Sequence, residues 1–220
     1  MVEMRLAASP CAAKEEMVEL PRLYAILDAS RFPEAAALVA AAEELAAARV
    51  TLIQYRNKQG NPRQMLEDAR ELKRLVGSRV QLILNDRADL ALAAGFDGLH
   101  IGQDDISPAS ARRIIGPDRL LGISTHNPEQ IAEADKTDAD YLAIGPVFAT
   151  ASKANPDPVV GINGVRRARE LTRKTLVAIG GITRNNARSV IEAGADSVAV
   201  ISDLIREPRK SAEAFFEVLR

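Results

Sequence analysis

Short apolar runs alternate with helical patterns eight times along this chain. Runs rich in Ile, Val and Leu fall at about 23–28, 51–56, 81–85, 98–102, 120–124, 141–146, 175–180 and 197–202. Most lack period-two alternation, as expected of strands buried on both faces. Helices are predicted near 33–48, 62–76, 87–94, 107–115, 128–136, 163–173, 184–193 and 211–219. Pro33, Pro62, Pro108 and Pro128 each sit near a first helical turn, and Asn61, Ser107 and Asn127 stand as caps before three of them. Ala-Ala-Gly-Phe-Asp (93–97) and Glu-Ala-Gly-Ala-Asp (192–196) read as helix ends with Gly in the C-cap region. Eight βα units in 220 residues predict a single α/β domain, a (β/α)8 TIM barrel over 21–220. A doubly wound open sheet is the alternative. Residues 1–20 read as a flexible N-terminal extension, and the irregular stretch 147–162 as a lid or binding loop.

A polar cluster follows nearly every apolar run. Parallel strands closed into a barrel point their carboxyl ends to one face, so these clusters converge there. Asp86 and Asp105 end adjacent strands. Two carboxylates so placed suit one hard divalent cation such as Mg²⁺. The plainer alternative is that Asp86 caps the following helix and Asp105 sits in a solvated turn. Asn85 and Gln103 add amides to the same face. Gln54, Arg56 and Lys58 alternate, so an extended strand presents them on one side. That pattern reads either as a diphosphate clamp or as a solvated strand end. Gly180-Gly181 and Ile201-Ser202 stand where barrels commonly bind a monophosphate, although a plain βα turn would look similar. Thr150, Ser152 and Lys153 lie in the long loop, where hydroxyls and an ammonium can close over phosphate groups. His100, inside a strand, reads as a satisfied core residue, and His126 lies at a strand end.

Composition narrows the field. Net charge is -1 and aromatics make up only 4% with no Trp. No nucleic-acid partner is expected on that basis. Cys11 is the single cysteine, so there is no internal disulfide, and a reduced cytoplasmic compartment is expected. No apolar run has the length of a membrane span, and residues 1–20 lack an apolar signal core. No Ser-His-Asp arrangement or cysteine near the face points to covalent catalysis. The residues by themselves describe a barrel enzyme with two phosphate sites, one at the late glycines and one at a Mg²⁺ on Asp86 and Asp105. A homo-oligomer is compatible with the sequence.

The motifs resemble the thiamine-phosphate synthase family. The matching segments are Gln-Tyr-Arg-Asn-Lys (54–58), Asn-Asp (85–86), His-Ile-Gly-Gln-Asp-Asp (100–105), Gly-Ile-Ser-Thr-His (122–126), Gly-Pro-Val-Phe-Ala-Thr (145–150), Ile-Gly-Gly-Ile-Thr (179–183) and Ala-Gly-Ala-Asp-Ser-Val-Ala-Val-Ile-Ser (193–202). They span nearly all of 22–205. The resemblance implies condensation of a hydroxymethylpyrimidine diphosphate with a hydroxyethylthiazole phosphate, or its carboxylated form, giving thiamine phosphate and diphosphate. It implies Mg²⁺ on Asp86 and Asp105. Pyrimidine diphosphate contacts would come from Gln54, Tyr55, Arg56, Asn57, Lys58, Asn85, Ser124 and Lys153, with Arg56, Lys58, Ser124 and Lys153 catalytic. Thiazole phosphate contacts would come from Thr150, Ser152, Gly181, Ile201 and Ser202, and Ala151 would also be a substrate-binding residue. The family's reaction is dissociative, diphosphate leaving before the thiazole nitrogen adds. Asn57 stands where the family often has Glu, and Thr-Ala-Ser-Lys (150–153) where Thr-x-Thr-Lys is common. Two rivals are a thiazole tautomerase, whose group tends to lose the metal and diphosphate residues, and a non-catalytic regulator that binds a phosphorylated metabolite.

Overall fold

The computed structural model describes residues 18–150 and 157–220. Eight parallel strands close into a barrel in sequence order. They are β1 (Leu23–Asp28), β2 (Leu52–Arg56), β3 (Gln81–Asn85), β4 (Gly98–Ile101), β5 (Leu120–Thr125), β6 (Tyr141–Ile144), β7 (Thr175–Ile179) and β8 (Ser197–Val200). Around them run α1 (Ala35–Ala47), α2 (Pro62–Val76), α3 (Ala88–Ala93), α4 (Pro108–Ile115), α5 (Pro128–Asp135), α6 (Gly161–Leu171), α7 (Ala187–Glu192), α8 (Ser202–Ile205) and α9 (Pro208–Val218). The barrel, not the open sheet, is therefore the fold. The extension read at 1–20 lies almost wholly outside the described residues.

The caps behave as the sequence predicts. Asn61 Oδ1 accepts from Gln64 N at 2.9 Å, Ser107 Oγ from Ser110 N at 3.2 Å, and Asn127 Oδ1 from Gln130 N at 2.9 Å. Each satisfies an amide that has no partner inside its own helix. Several boundaries differ by two or three residues, two of them at the end of the chain. The eighth strand ends at Val200, and Ser202–Ile205 turns into the one-turn helix α8. The last helix starts at Pro208, which occupies the first turn and leaves no N–H unpaired there.

Two apolar clusters form the core. The larger packs strand side chains against the helices, with Leu45, Tyr55, Leu72, Phe96 and Phe215 deeply buried. The smaller fills the lumen with Tyr24, Ile26, Leu52, Ile83, Tyr141, Ala143, Val177 and Ala199. One aspartate motif recurs at the amino-terminal end of the barrel. Asp97, Asp140 and Asp196 each accept the first or second amide of the preceding strand, from Leu82, Leu121 and Leu176. Each also pairs with a basic residue on the helix that leads into that strand, Lys73, Arg112 and Arg169 respectively. These pairs tie strand to helix to strand at one end, which leaves the carboxyl-terminal end free for chemistry.

Candidate functional site

A cavity of about 650 Å³ opens at the carboxyl-terminal end of the barrel. That volume suits small-molecule ligands. Gln54, Arg56, Lys58, Asn85, Asp86, Asp105, Ser124, Thr150, Gly181, Ile201 and Ser202 all line it. The structure thus brings together sequence positions more than a hundred residues apart.

On one side lie the carboxylates. Asp86 follows β3 with φ of 64°, a left-handed backbone that side-chain-bearing residues seldom adopt. Its side chain does not cap α3, whose N-cap residue is Arg87 and which has no side-chain cap. The capping alternative is therefore excluded, and strain of this kind concentrates at functional sites. Burial pushes the Asp86 carboxyl above its ordinary range, Lys58 pulls it down, and a hydrogen bond with Asp105 raises it again. Lys58 forms an ion pair with Asp86. Asp105 Oδ2 accepts from Gly102 N at 2.7 Å. Among the described residues no third His, Cys, Asp or Glu completes a larger metal cluster. Arg56 pairs with Asp28, which is 1% exposed and also accepts from Ser30 N and Oγ at 3.0 and 2.7 Å. That buried carboxylate holds the guanidinium at the rim. Asn85 Nδ2 is buried and has no hydrogen-bond partner among the described residues.

On the other side lie the late loops. Gly180 and Gly181 have φ of 99° and 63°. A Cβ on Gly181 would stand 2.5 Å from the Ala149 carbonyl oxygen, so glycine is required for both conformation and space. Asn186 clamps this loop, donating to Gly181 O at 3.1 Å and accepting from Thr183 N at 2.8 Å. Arg184 grips Asp203 through two side-chain bonds of 3.1 and 2.9 Å, fastening the β7 loop to α8.

Two expected contacts fall elsewhere. Tyr55 points outward into the strand–helix layer, where its hydroxyl donates to Asp68 Oδ2 at 2.8 Å. The period of two along β2 turns it away from Gln54 and Arg56. Asn57 also leaves the cavity: its Oδ1 accepts from Gln59 N and Gly60 N at 3.1 and 2.7 Å, and its Nδ2 donates to the Tyr55 hydroxyl at 3.1 Å. In this arrangement it shapes the turn. Ala151, Ser152 and Lys153 lie outside the described residues.

Sequence reading missed an interior group. Tyr24, His100, His126 and Asp157 also line the cavity. His126 Nδ1 lies 2.6 Å from Gly145 O, and its Nε2 lies 3.5 Å from Asp157 Oδ2. His100 is buried, as its place inside a strand predicts, but it faces the lumen. Its alternation with Gly98 along β4 carried that signal.

A family profile described as thiamine monophosphate synthase matches residues 23–204. A thiamine-phosphate synthase of Koribacter versatilis is 62% identical, covering 92% of this chain and 97% of the relative. One of Chloroflexus aurantiacus is 43% identical, covering 88% and 89%. Among solved structures, a thiamine phosphate pyrophosphorylase from Pyrococcus furiosus superposes with a TM-score of 0.80 at 34% identity, covering 90% of this chain and 95% of that one.

Proposed function

The chain belongs to the thiamine monophosphate synthase family, and we propose that it joins a hydroxymethylpyrimidine diphosphate to a hydroxyethylthiazole phosphate, releasing thiamine phosphate and diphosphate. The observation that carries this reading is one cavity lined on two sides by groups suited to anions. Arg56, Lys58, Asn85 and the Asp86–Asp105 pair form one wall, and the Gly180-Gly181 loop and Ser202 form the other. A diphosphate fits the first and a monophosphate the second.

The donor set fits Mg²⁺. Two hard carboxylates in hydrogen-bond contact, one of them raised by burial, repel each other unless a proton or a cation sits between them. Asp86 and Asp105 would hold the ion, which when bound neutralises charge on the departing diphosphate. Asn85 takes a different part. Its unpartnered Nδ2 is a donor, so it suits a phosphate oxygen rather than a metal.

The chain's own residues then act by position and charge. Arg56, anchored by Asp28, and Lys58 receive the negative charge that develops as the carbon–oxygen bond to diphosphate breaks. Lys153 acts with them, while Ser152 serves the thiazole phosphate. Gly181, Ile201 and Ser202 hold the thiazole phosphate so that the ring nitrogen meets the pyrimidine methylene carbon. That nitrogen attacks with its own lone pair, and no base is needed. The test is an assay with both substrates and Mg²⁺ that follows diphosphate release and thiamine phosphate formation. Turnover of the thiazole partner alone, with no diphosphate released, would overturn the reading in favour of a tautomerase.

A further inference from the structure

A line of side-chain hydrogen bonds crosses the barrel lumen beneath this cavity. Gln54 Nε2 donates to the Tyr24 hydroxyl at 2.9 Å. The Tyr24 and Tyr141 hydroxyls lie 3.0 Å apart. The Tyr141 hydroxyl lies 3.0 Å from His100 Nδ1, and His100 Nε2 lies 2.8 Å from Ser124 Oγ. Tyr24, Gln54, His100 and Tyr141 are all buried. The ring of Tyr141 stacks on His100 with centroids 5.6 Å apart and meets Tyr24 edge-on at 6.1 Å.

A hydroxyl carries one hydrogen but can accept twice, so the direction of such a line follows from which acceptors each hydrogen can reach. Gln54 gives its N–H to Tyr24. Among the described residues the Tyr24 hydrogen has no acceptor but the Tyr141 hydroxyl, and the Tyr141 hydrogen is then left for His100 Nδ1. A nitrogen that accepts carries no hydrogen, so with Nδ1 taken by Tyr141 the ring has a single N–H. That hydrogen is left on Nε2 and goes to Ser124 Oγ. Ser124 accepts from below and has its own hydrogen to give. Gln103 Nε2 steadies the same residue by donating to Ser124 O at 2.6 Å.

We propose that the line from Gln54 through Tyr24, Tyr141 and His100 fixes the tautomer of His100 and so commits Ser124 as a hydrogen-bond donor to an anionic oxygen of the substrate. Tyr24, Tyr141 and His100 are positioning residues; no proton is transferred. The identity of the anion, a diphosphate, rests on the function proposed above. The direction of the line does not.

The experiment has two arms. In the first, ¹⁵N NMR of the ligand-free protein reads the ring nitrogens of His100. A protonated Nε2 with a pyridine-type, hydrogen-bonded Nδ1 is expected, and Tyr141→Phe should move the Nδ1 resonance to that of a nitrogen with no donor. A proton on Nδ1 in the unsubstituted protein would reverse the direction and overturn the proposal, whether or not the variant folds. In the second arm, Tyr141→Phe should lower kcat/KM for the pyrimidine diphosphate roughly tenfold, the equivalent of one hydrogen bond to a charged group, with the KM for thiazole phosphate unchanged. Combined with Ser124→Ala it should add nothing further. Fully multiplicative effects of the two substitutions would overturn the link between Tyr141 and Ser124. If the protein releases no diphosphate at all, the proposed function fails, and the NMR arm still decides the direction.

Discussion

Gly122 offers a sharp test of how the lumen is packed. It lies in β5 paired with Tyr141 of β6, and a Cβ built on it would collide with the Tyr141 ring at Cζ and Oη. Its backbone is not left-handed, so Gly122→Ala carries no conformational penalty of its own. In an open strand the change would stabilise by a few tenths to about 1 kcal/mol. Here the Tyr141 ring is fully buried and held at its hydroxyl by Tyr24 and His100. Overpacking costs about 1–3 kcal/mol, and displacing the hydroxyl from its partners adds about 1 kcal/mol. A net loss of about 2–4 kcal/mol is expected, which for a domain of this size lowers Tm by roughly 5–15 °C. Shrinking the obstacle should reverse part of the loss. Urea unfolding of Gly122→Ala, Tyr141→Leu and the double variant would give a favourable coupling of about 1–3 kcal/mol. Additivity of the two single changes within about 0.5 kcal/mol would refute the claim that Tyr141 occupies the space glycine leaves.

The remaining predictions concern charge and ligands. Asp86→Asn and Asp105→Asn should each lower kcat/KM by two orders of magnitude or more while the barrel stays folded, as judged by circular dichroism, because one ligand charge is lost beside the leaving group. Mg²⁺ alone should raise the Tm of the unsubstituted protein and not of Asp105→Asn; normal turnover of either variant at limiting Mg²⁺ would remove the metal assignment. Lys58→Ala should raise the KM for the pyrimidine diphosphate, and Gly181→Val that for the thiazole phosphate; steady-state kinetics showing both effects on one substrate would contradict the two-walled cavity. His100 titrates near 6.5 in an unfolded chain and at about 4 when folded, so its contribution to stability is fully present above pH 6.5. As pH falls from 6.5 to 4 the unfolded state gains a proton that the folded state refuses, and up to about 3 kcal/mol is lost. Thermal melts of His100→Asn across that window should show a shallower pH dependence than the parent, and parallel curves would count against the assignment.

The barrel itself was legible in the sequence because its cause is local. Eight apolar runs without alternation, separated by capped helical patterns, leave little choice of topology. The convergence of Asp86, Asp105, Lys58 and Gly181 followed from the same logic, since parallel strands must end on one face. Alternation along β2 also separates Gln54 and Arg56 from Tyr55, whereas the family motif is a contiguous block that includes Tyr55 and Asn57. The strand-to-helix change after Val200 was hidden because Ile201-Ser202 continues an apolar run, and only the geometry of the β8 turn ends it.

What the sequence determined by itself is therefore the order of elements, their caps, and which residue types reach the catalytic end, all properties set by neighbours a few positions away. Partnership across the lumen arises only when the sheet closes. Tyr24, Tyr141 and His100 read as ordinary core residues in their own strands, and Gly122 as an ordinary glycine. Closing the sheet brings Tyr24 and Tyr141, 117 positions apart, to 3.0 Å, and makes the glycine the gap that Tyr141 fills. Hydrogen-bond direction is a property of the whole line of groups, so no single segment of the chain encodes it.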